Sequence, residues 1–306
     1  MPLEAVVLVG HGSREPTGNQ EFLRFATRVR NAVTEAVTEV CFIELAKPDI
    51  PTGLDSCVRL GAQEIVVLPV MLFAAGHVKV EIASEIDRAR LRHPGIRFYY
   101  GRPFGIHQKM MEVLDQRLRA LDVALPGEPG ETAVLLVGRG SSDPDANGDL
   151  CKIARLLWEG RGFGWVETCF VGITRPNFEE GIHRCVALGA RRILVLPYLL
   201  FTGVMVRRIG ARLLELQSLY PDIPMSLATY LGGHPNLVDV LLERCEEARH
   251  GTALMNCEMC RYRLLQGREA VPSLPAIPVS GLHGSSSRAN PAPLPSQVHL
   301  SLRRIT

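Results

Sequence analysis

No apolar run in these 306 residues approaches the roughly 20 that a transmembrane helix requires, so no membrane partner is expected. Charge of either sign is scarcely in excess: 34 Lys and Arg against 32 Asp and Glu leave +2. Nor does any basic run resemble a nucleic-acid-binding arm, so nucleic acid is not an expected partner either. The opening MPLEAVVLVGHGS lacks a basic stretch ahead of its apolar run, which ends in a glycine loop. It predicts a first strand rather than a signal peptide. Nucleotide cradles are missing as well. GHGSRE and GRGSSD fall short of G-x-G-x-x-G, because Gly10 and Gly12 have no third glycine and Glu15 would meet an incoming phosphate; there is no G-x-x-x-x-G-K-[ST]. Those glycines and serines better suit close approach of backbone to a bulky ligand. Close cysteine pairs are equally scarce: of eight cysteines only Cys257 and Cys260 are near neighbours. Cys41/Cys169 and Cys57/Cys185 recur at matching positions, on a strand and on a helix. They read as buried free thiols packing as small hydrophobes in a reducing cytoplasm.

What the chain does have is a duplication. With 46% hydrophobic and 22% charged residues it is ordinary globular protein, and its length suits about two domains. Residues 5–118 recur at 133–245. AVVLVGHGSREP returns as AVLLVGRGSSDP, CFIELAKPDI as CFVGITRPNF, and VVLPVMLFAAGHVKVEI as LVLPYLLFTGVMVRRI, one residue shorter. AVVLVG is an apolar run of the kind buried on both faces of a parallel sheet. Spacing near 3.6 predicts a helix over Asn19–Val37. VCFIEL, EIVVLPVML and IRFYYG follow as strands, with helices at LDSCVRLGA, VKVEIASEIDRARLRH and HQKMMEVLDQRLRAL. The second copy repeats the order as AVLLVG, a helix near Asp149–Trp158, VETCFVGI, RRILVLPYLLF, a helix through Arg207–Leu219, IPMSLATYL and a helix through Leu237–Glu247. Alternating strands and helices imply an α/β fold: two tandem parallel-sheet βαβ domains facing across a cleft. The expected boundaries are 1–123 for the first domain, 124–132 for a Pro/Gly-rich linker, 133–250 for the second domain, and 251–306 for an irregular, largely extended or disordered extension.

The copies differ where chemistry is expected. His11 faces Arg139 and Glu44 faces Gly172, while His77 faces either Val204 or Met205. His11 is placed in the loop leaving strand one, Glu44 near the end of strand two, and His77 in the loop leaving strand three. Ligands of open α/β sheets gather beyond those strand ends. Two imidazoles and a carboxylate suit a first-row divalent ion such as Fe, Co, Ni or Zn, or can accept protons near neutral pH. Taken singly, each would read as an ordinary loop or strand-end residue. Together they read as one working site beside a degenerate copy. His107 and His234, kept in both copies within G-x-H, read instead as caps of the last helices.

These segments, VVLVGHGSREP, the strand-end Glu of FIELAKPDI and LPVMLFAAGHVKVEI, resemble the sirohydrochlorin chelatase family of tetrapyrrole metal-inserting enzymes. The duplication followed by a cysteine-bearing extension resembles its long, CbiX-type cobaltochelatase members, over residues 5–262. The resemblance implies a class II chelatase-like fold, no nucleotide, and His11, Glu44 and His77 as the catalytic and metal-binding set. It further implies insertion of Co(II), or Fe(II) or Ni(II), into sirohydrochlorin with loss of two pyrrole protons. An ion that must leave requires an open-sided site, not a closed cage.

Sirohydrochlorin bears eight carboxylates, so cations are expected around the cleft. Arg139, Arg175, Arg207 and Arg208 are the candidates, with Ser13 and Arg14 in the first loop. Met255-Asn256-Cys257-Glu258-Met259-Cys260 resembles a motif associated in the long members with an iron–sulfur centre; alone it supplies two thiolates of the usual four, and a redox dithiol is the other reading. No histidine-rich tract accompanies it. Cobalt insertion in a cytoplasmic monomer or homodimer leads. Iron insertion for siroheme and a non-catalytic tetrapyrrole or metal carrier are the alternatives, with a small-ligand-binding module of the periplasmic type a distant third.

Overall fold

The computed structural model describes residues 3–255. The chain first builds β1 (Glu4–Gly10), α1 (Pro16–Ala32), β2 (Val37–Phe42), α2 (Ile50–Arg59) and β3 (Glu64–Pro69). A π-helix (His77–Ile82) then runs into α3 (Ala83–Arg92), followed by β4 (Arg97–Tyr100) and α4 (Gln108–Ala124). The second lobe comprises β5 (Thr132–Gly138), α5 (Pro144–Trp158), β6 (Trp165–Phe170), α6 (Phe178–Ala187), β7 (Arg192–Pro197), α7 (Val204–Leu219), β8 (Met225–Leu227) and α8 (Pro235–Arg249). Each lobe has a four-stranded, all-parallel sheet, ordered β2-β1-β3-β4 and β6-β5-β7-β8. The α/β reading of two parallel βαβ repeats is therefore what the chain adopts. No described helix is long and apolar enough to cross a membrane.

The apolar run of β1 is buried on both faces, as a central parallel strand must be. Ala5, Val7 and Val9 point to an outer core with Leu54, Cys57 and Ile86. Val6 and Leu8 point to an inner core that continues through Phe25 and Leu114 to Leu136 and Leu196 of the second sheet. One core thus spans both lobes. The terminal helices bind them further by exchange: α4 packs on β7 of the second sheet, and α8 packs on β3 and β4 of the first. Arg244 of α8, 1% exposed, donates to the Pro103 and Phe104 carbonyls at 3.1 and 2.7 Å.

Several elements differ from expectation. Helix α1 stops at Ala32, and Val37 already pairs with Ala5 of β1; the β-branched, valine-rich stretch after Ala32 extends instead of continuing the helix. Helix α5 starts at Pro144, because Asp143 caps it by accepting from the Asp145 N–H at 3.1 Å. Helix α6, expected only as the helix carrying Cys185, spans Phe178–Ala187. Asn177 and Glu180 form a full capping box at its start, and that N-x-x-E spacing is its one local signal. Most consequential, His77 does not sit in a loop but opens the π-helix. The first repeat carries one residue more than the second here. It is absorbed as a π turn, whereas the second repeat forms the regular helix α7.

Candidate metal and substrate site

In a sheet ordered 2-1-3-4 the chain leaves β1 and β3 toward opposite sides, opening a crevice beyond their C-terminal ends. His11 follows the last residue of β1, Glu44 lies two residues past β2, and His77 enters from beyond β3. One donor atom from each of the three lies within 4.8 Å of the others. His11 Nε2 is 3.7 Å from Glu44 Oε1, and the two imidazoles meet edge to face with centroids 4.8 Å apart.

Backbone packing brings the first two together. Past the strands, the Ile43 and Glu44 N–H groups donate to the Gly10 and His11 carbonyls at 2.9 and 3.1 Å. Gly12, at φ 88°, has no side chain to hold these loops apart; a Cβ there would sit 3.0 Å from the Glu44 carbonyl carbon and closer still to its oxygen. The glycine thus permits approach of one loop to another, and it also lines the cavity described below. Just beyond, Leu45 adopts φ 62°, and the Ala46 N–H donates back to the Glu44 carbonyl at 2.8 Å. Left-handed backbone at a non-glycine residue costs of order 1–3 kcal/mol and gathers at functional sites.

The His11 tautomer follows from its surroundings. Nδ1 lies 3.1 Å from the Gly12 carbonyl, which can only accept, so Nδ1 carries the proton. Nε2 is left with its lone pair, buried and without a hydrogen-bond partner. Burial, and then the Arg139 guanidinium, hold the His11 pKa below its ordinary value, against the opposing Gly12 hydrogen bond. His11 is therefore neutral and able to donate at neutral pH. Glu81 Oε1 stands 2.9 Å from His77 Nδ1 without the alignment of a hydrogen bond. Side-chain exposures of 29%, 49% and 30% for His11, Glu44 and His77 leave the trio open on one side. Two imidazoles, one carboxylate and an open flank suit a divalent ion that is held and then released.

His11 and His77 line a cavity of about 430 Å³ whose walls come from both lobes. Phe73 of the first lobe and Tyr198 of the second stack within it, centroids 5.5 Å apart and planes 21° from parallel. The mainly apolar walls can take a flat aromatic body while polar substituents remain at the mouth. Among the residues expected at a substrate surface, Ser13 and Arg139 line this cavity. Arg14 and Arg208 are exposed and outside its lining. Arg175 is also exposed, and pairs with Glu180 at 3.0 Å. Arg207 is engaged across the lobes by Glu15, with Nη1 2.7 Å from Oε2.

Sequence reasoning passed over Lys79, Asp143 and Asp145, which form a buried ion-pair group across the lobes beside His77. A buried lysine two residues from a candidate ligand carries no periodic signature. The iron–sulfur expectation at Cys257 and Cys260 is corrected. Among the described residues, those that can gather around a metal ion are His11, Glu44 and His77, with no thiolate among them; this donor set suits one divalent ion, whereas iron–sulfur clusters are held chiefly by cysteine sulfur. Cys257 and Cys260 lie outside the described residues. The six described cysteines are free. Burial pushes the thiols of Cys57, Cys185 and Cys245 up to about 12 and raises those of Cys41 and Cys169 as well, so they stay protonated.

Comparison with known proteins bears on the same residues. The family model described as CbiX matches twice, over residues 5–121 and 133–248. A sirohydrochlorin cobaltochelatase of Priestia megaterium is 44% identical over 263 residues, covering 86% of this chain and 85% of that protein. A sirohydrochlorin ferrochelatase of Bacillus subtilis (strain 168) is 35% identical, covering 80% and 91%. The crystal structure of the sirohydrochlorin chelatase SirB from Bacillus subtilis subspecies spizizenii, in complex with cobalt, superposes with a TM-score of 0.70 at 34% identity, covering 82% of this chain and 98% of that one. With both repeats matched and relatives alike over most of their length, the chain belongs to the CbiX family of sirohydrochlorin chelatases.

Proposed function

We propose that this chain inserts Co(II) into sirohydrochlorin, with release of the two pyrrole protons. The observation that carries the reading is the meeting of two imidazoles and a carboxylate at the side of an apolar, two-walled cavity. The ion is a substrate, held by His11, Glu44 and His77 until the ring nitrogens take it. Neutral His11 offers its lone pair to the ion and, as the ion leaves, can accept a proton in its place. Glu44, about half exposed, offers protons a path to solvent. The apolar cavity wall receives the macrocycle, and Arg139 and Ser13 of the same cavity meet its peripheral carboxylates. Arg139 also disfavours excess positive charge near His11, which keeps the ion loosely bound. Holding ion and ring together supplies the main rate advantage.

The 44%-identical cobaltochelatase favours Co(II); the donor set alone takes Fe(II) and Ni(II) as well. Iron insertion is the second reading, favoured by the 35%-identical ferrochelatase. Free described cysteines suit a reducing cytoplasm, and since one chain supplies both cavity walls, a single copy suffices.

The test follows the visible spectrum of sirohydrochlorin, without oxygen, as Co(II), Fe(II) or Ni(II) is added with the purified protein. Enzyme-dependent insertion, fastest with Co(II), is expected, falling at least 100-fold in His11→Ala. Spectra that never change beyond the uncatalysed rate would overturn the enzymatic reading. Weakened binding in His11→Ala with no turnover in either protein would make the chain a carrier.

A further inference from the structure

We propose that Lys79, held by Asp143 and Asp145 of the opposite lobe, is a positioning residue that sets His77 within the metal-binding trio. The inference rests on the reading of that trio given above. Lys79 is the third residue of the π-helix that His77 opens. Its Nζ lies 2.8 Å from Asp143 Oδ2 and 2.8 Å from Asp145 Oδ2. The three side chains are only 5%, 2% and 15% exposed.

Asp143 is itself fixed, because its other carboxylate oxygen caps α5. Between His77 and Lys79, the Val78 side chain is buried and its carbonyl accepts from the Tyr100 hydroxyl at 2.7 Å. The start of the π-helix is thus gripped by its own lobe at Val78 and by the other lobe at Lys79. A π turn needs such support, since it departs from the regular helix that the second repeat forms at the same place.

Another cross-lobe pair, Glu15 with Arg207, is far more exposed, at 21% and 61%. Solvent screens such a pair. The buried group is fixed in one arrangement, because an ammonium out of water keeps its charge only beside carboxylates. The degenerate lobe therefore contributes to the metal site without lending it a ligand. Its two aspartates hold the helix from which His77 projects.

The experiment uses the full chain and Co(II) alone, read by the ligand-field absorption of the bound ion and by its Kd. Turnover with sirohydrochlorin is measured separately. Lys79→Met should weaken Co(II) 10–100-fold, the cost usual for residues that orient a metal ligand, alter the Co(II) spectrum, and lower kcat with KM for sirohydrochlorin within threefold. Lys79→Arg should restore most of the affinity, and Asp145→Asn, which keeps the Asp143 cap, should fall between. Arg102→Met breaks another pair between the repeats, with Glu247 at 2.7 Å, and should cost stability without moving Co(II) affinity. A wild-type Co(II) spectrum and Kd within twofold in Lys79→Met would overturn the proposal, whatever its melting temperature. Should that variant fail to fold, Asp145→Asn decides by the same criterion. Binding of Co(II) by the wild type with no insertion would count against the chelatase reading alone.

Discussion

Gly12→Ala keeps His11, Glu44 and His77 as donors and alters only the spacing of their loops. At φ 88° an alanine costs about 1–2 kcal/mol in backbone strain. Its Cβ would stand 3.0 Å from the Glu44 carbonyl carbon, where comfortable carbon contact begins near 3.5 Å. The still nearer oxygen requires the Glu44 loop to retreat by roughly 1 Å. That movement breaks the 3.1 Å bond from the Glu44 N–H to the His11 carbonyl, worth about 1 kcal/mol. A total of about 2–3 kcal/mol corresponds to a fall in Tm of about 4–12 °C for a domain of this size. The functional loss should be larger than the stability loss suggests, since a misplacement of about 1 Å can cost 100-fold in rate. Calorimetry, Co(II) titration and insertion into sirohydrochlorin measure the three effects. Gly140→Ala is the paired control: φ is 82°, but the added Cβ meets only side-chain atoms of Thr174 and Phe170, at 2.9–3.1 Å, so the shift it forces is smaller and stays in the second lobe. It should lose stability with Co(II) affinity kept within threefold. A folded Gly12→Ala protein with Co(II) affinity and turnover within threefold of wild type would refute the claim that this glycine spaces the donors.

Arg139→Met removes a positive charge that helps to hold His11 below its ordinary pKa. His11 then protonates at higher pH, so the acid limb of Co(II) binding should move upward; a limb that stays or moves down refutes the assignment. The same depressed pKa makes neutral His11 stabilising above its unfolded value near 6.5. Its contribution to Tm should fade as pH drops through 6.5 and below, and His11→Gln should flatten that decline. Tyr198→Phe deletes a buried hydroxyl that has no partner, so unfolding in urea should show unchanged or slightly higher stability; a loss above about 1 kcal/mol would reveal a hidden hydrogen bond. Of the six described cysteines only Cys151 is exposed; rapid alkylation mapped by mass spectrometry should mark it and spare Cys57 and Cys185.

The duplicated α/β architecture is legible because each strand is a continuous apolar run and the repeat tests each assignment twice. Capping is legible for the same reason. His107 and His234 cap α4 and α8 through their Nδ1 atoms, accepting from Lys109 and Asn236 N–H at 3.1 and 3.2 Å. The buried thiols are readable as packing residues, and the structure shows why cysteine fits: Cys41 and Cys169 pack against Gly53 and Gly181, where a Cβ would intrude on the sulfur-bearing side chain. The helix exchange was not legible, because α4 and α8 have the same apolar periodicity whichever sheet they cover. Nor was the π-helix. Its one extra residue shows as a gap between the copies, but a gap can be absorbed in a loop as easily as in a helix. The position of Arg207 was hidden by Glu15, a residue 192 positions away that only the fold brings to it.

Loss of the donors from the second lobe goes deeper than three substitutions. In the first lobe the close approach falls on Gly12, leaving position 44 free for a side chain; in the second it falls on Gly172, where a Cβ would be driven into the Arg139 carbonyl oxygen. A glutamate therefore has no place at 172 while the loops keep their present spacing. The helix beyond β7 lacks the residue that makes the π turn, so α7 opens with Val204, and a histidine there would begin from different backbone. The second lobe instead gives the site Arg139 beside His11, Tyr198 stacked on Phe73, and a carboxylate pair on Lys79. Each is a contact to the first lobe, and each would be lost if the lobes separated. A single trio with a shaped opposite wall suits a reaction in which one ion enters one ring, since a second trio on that wall would compete for the same ion.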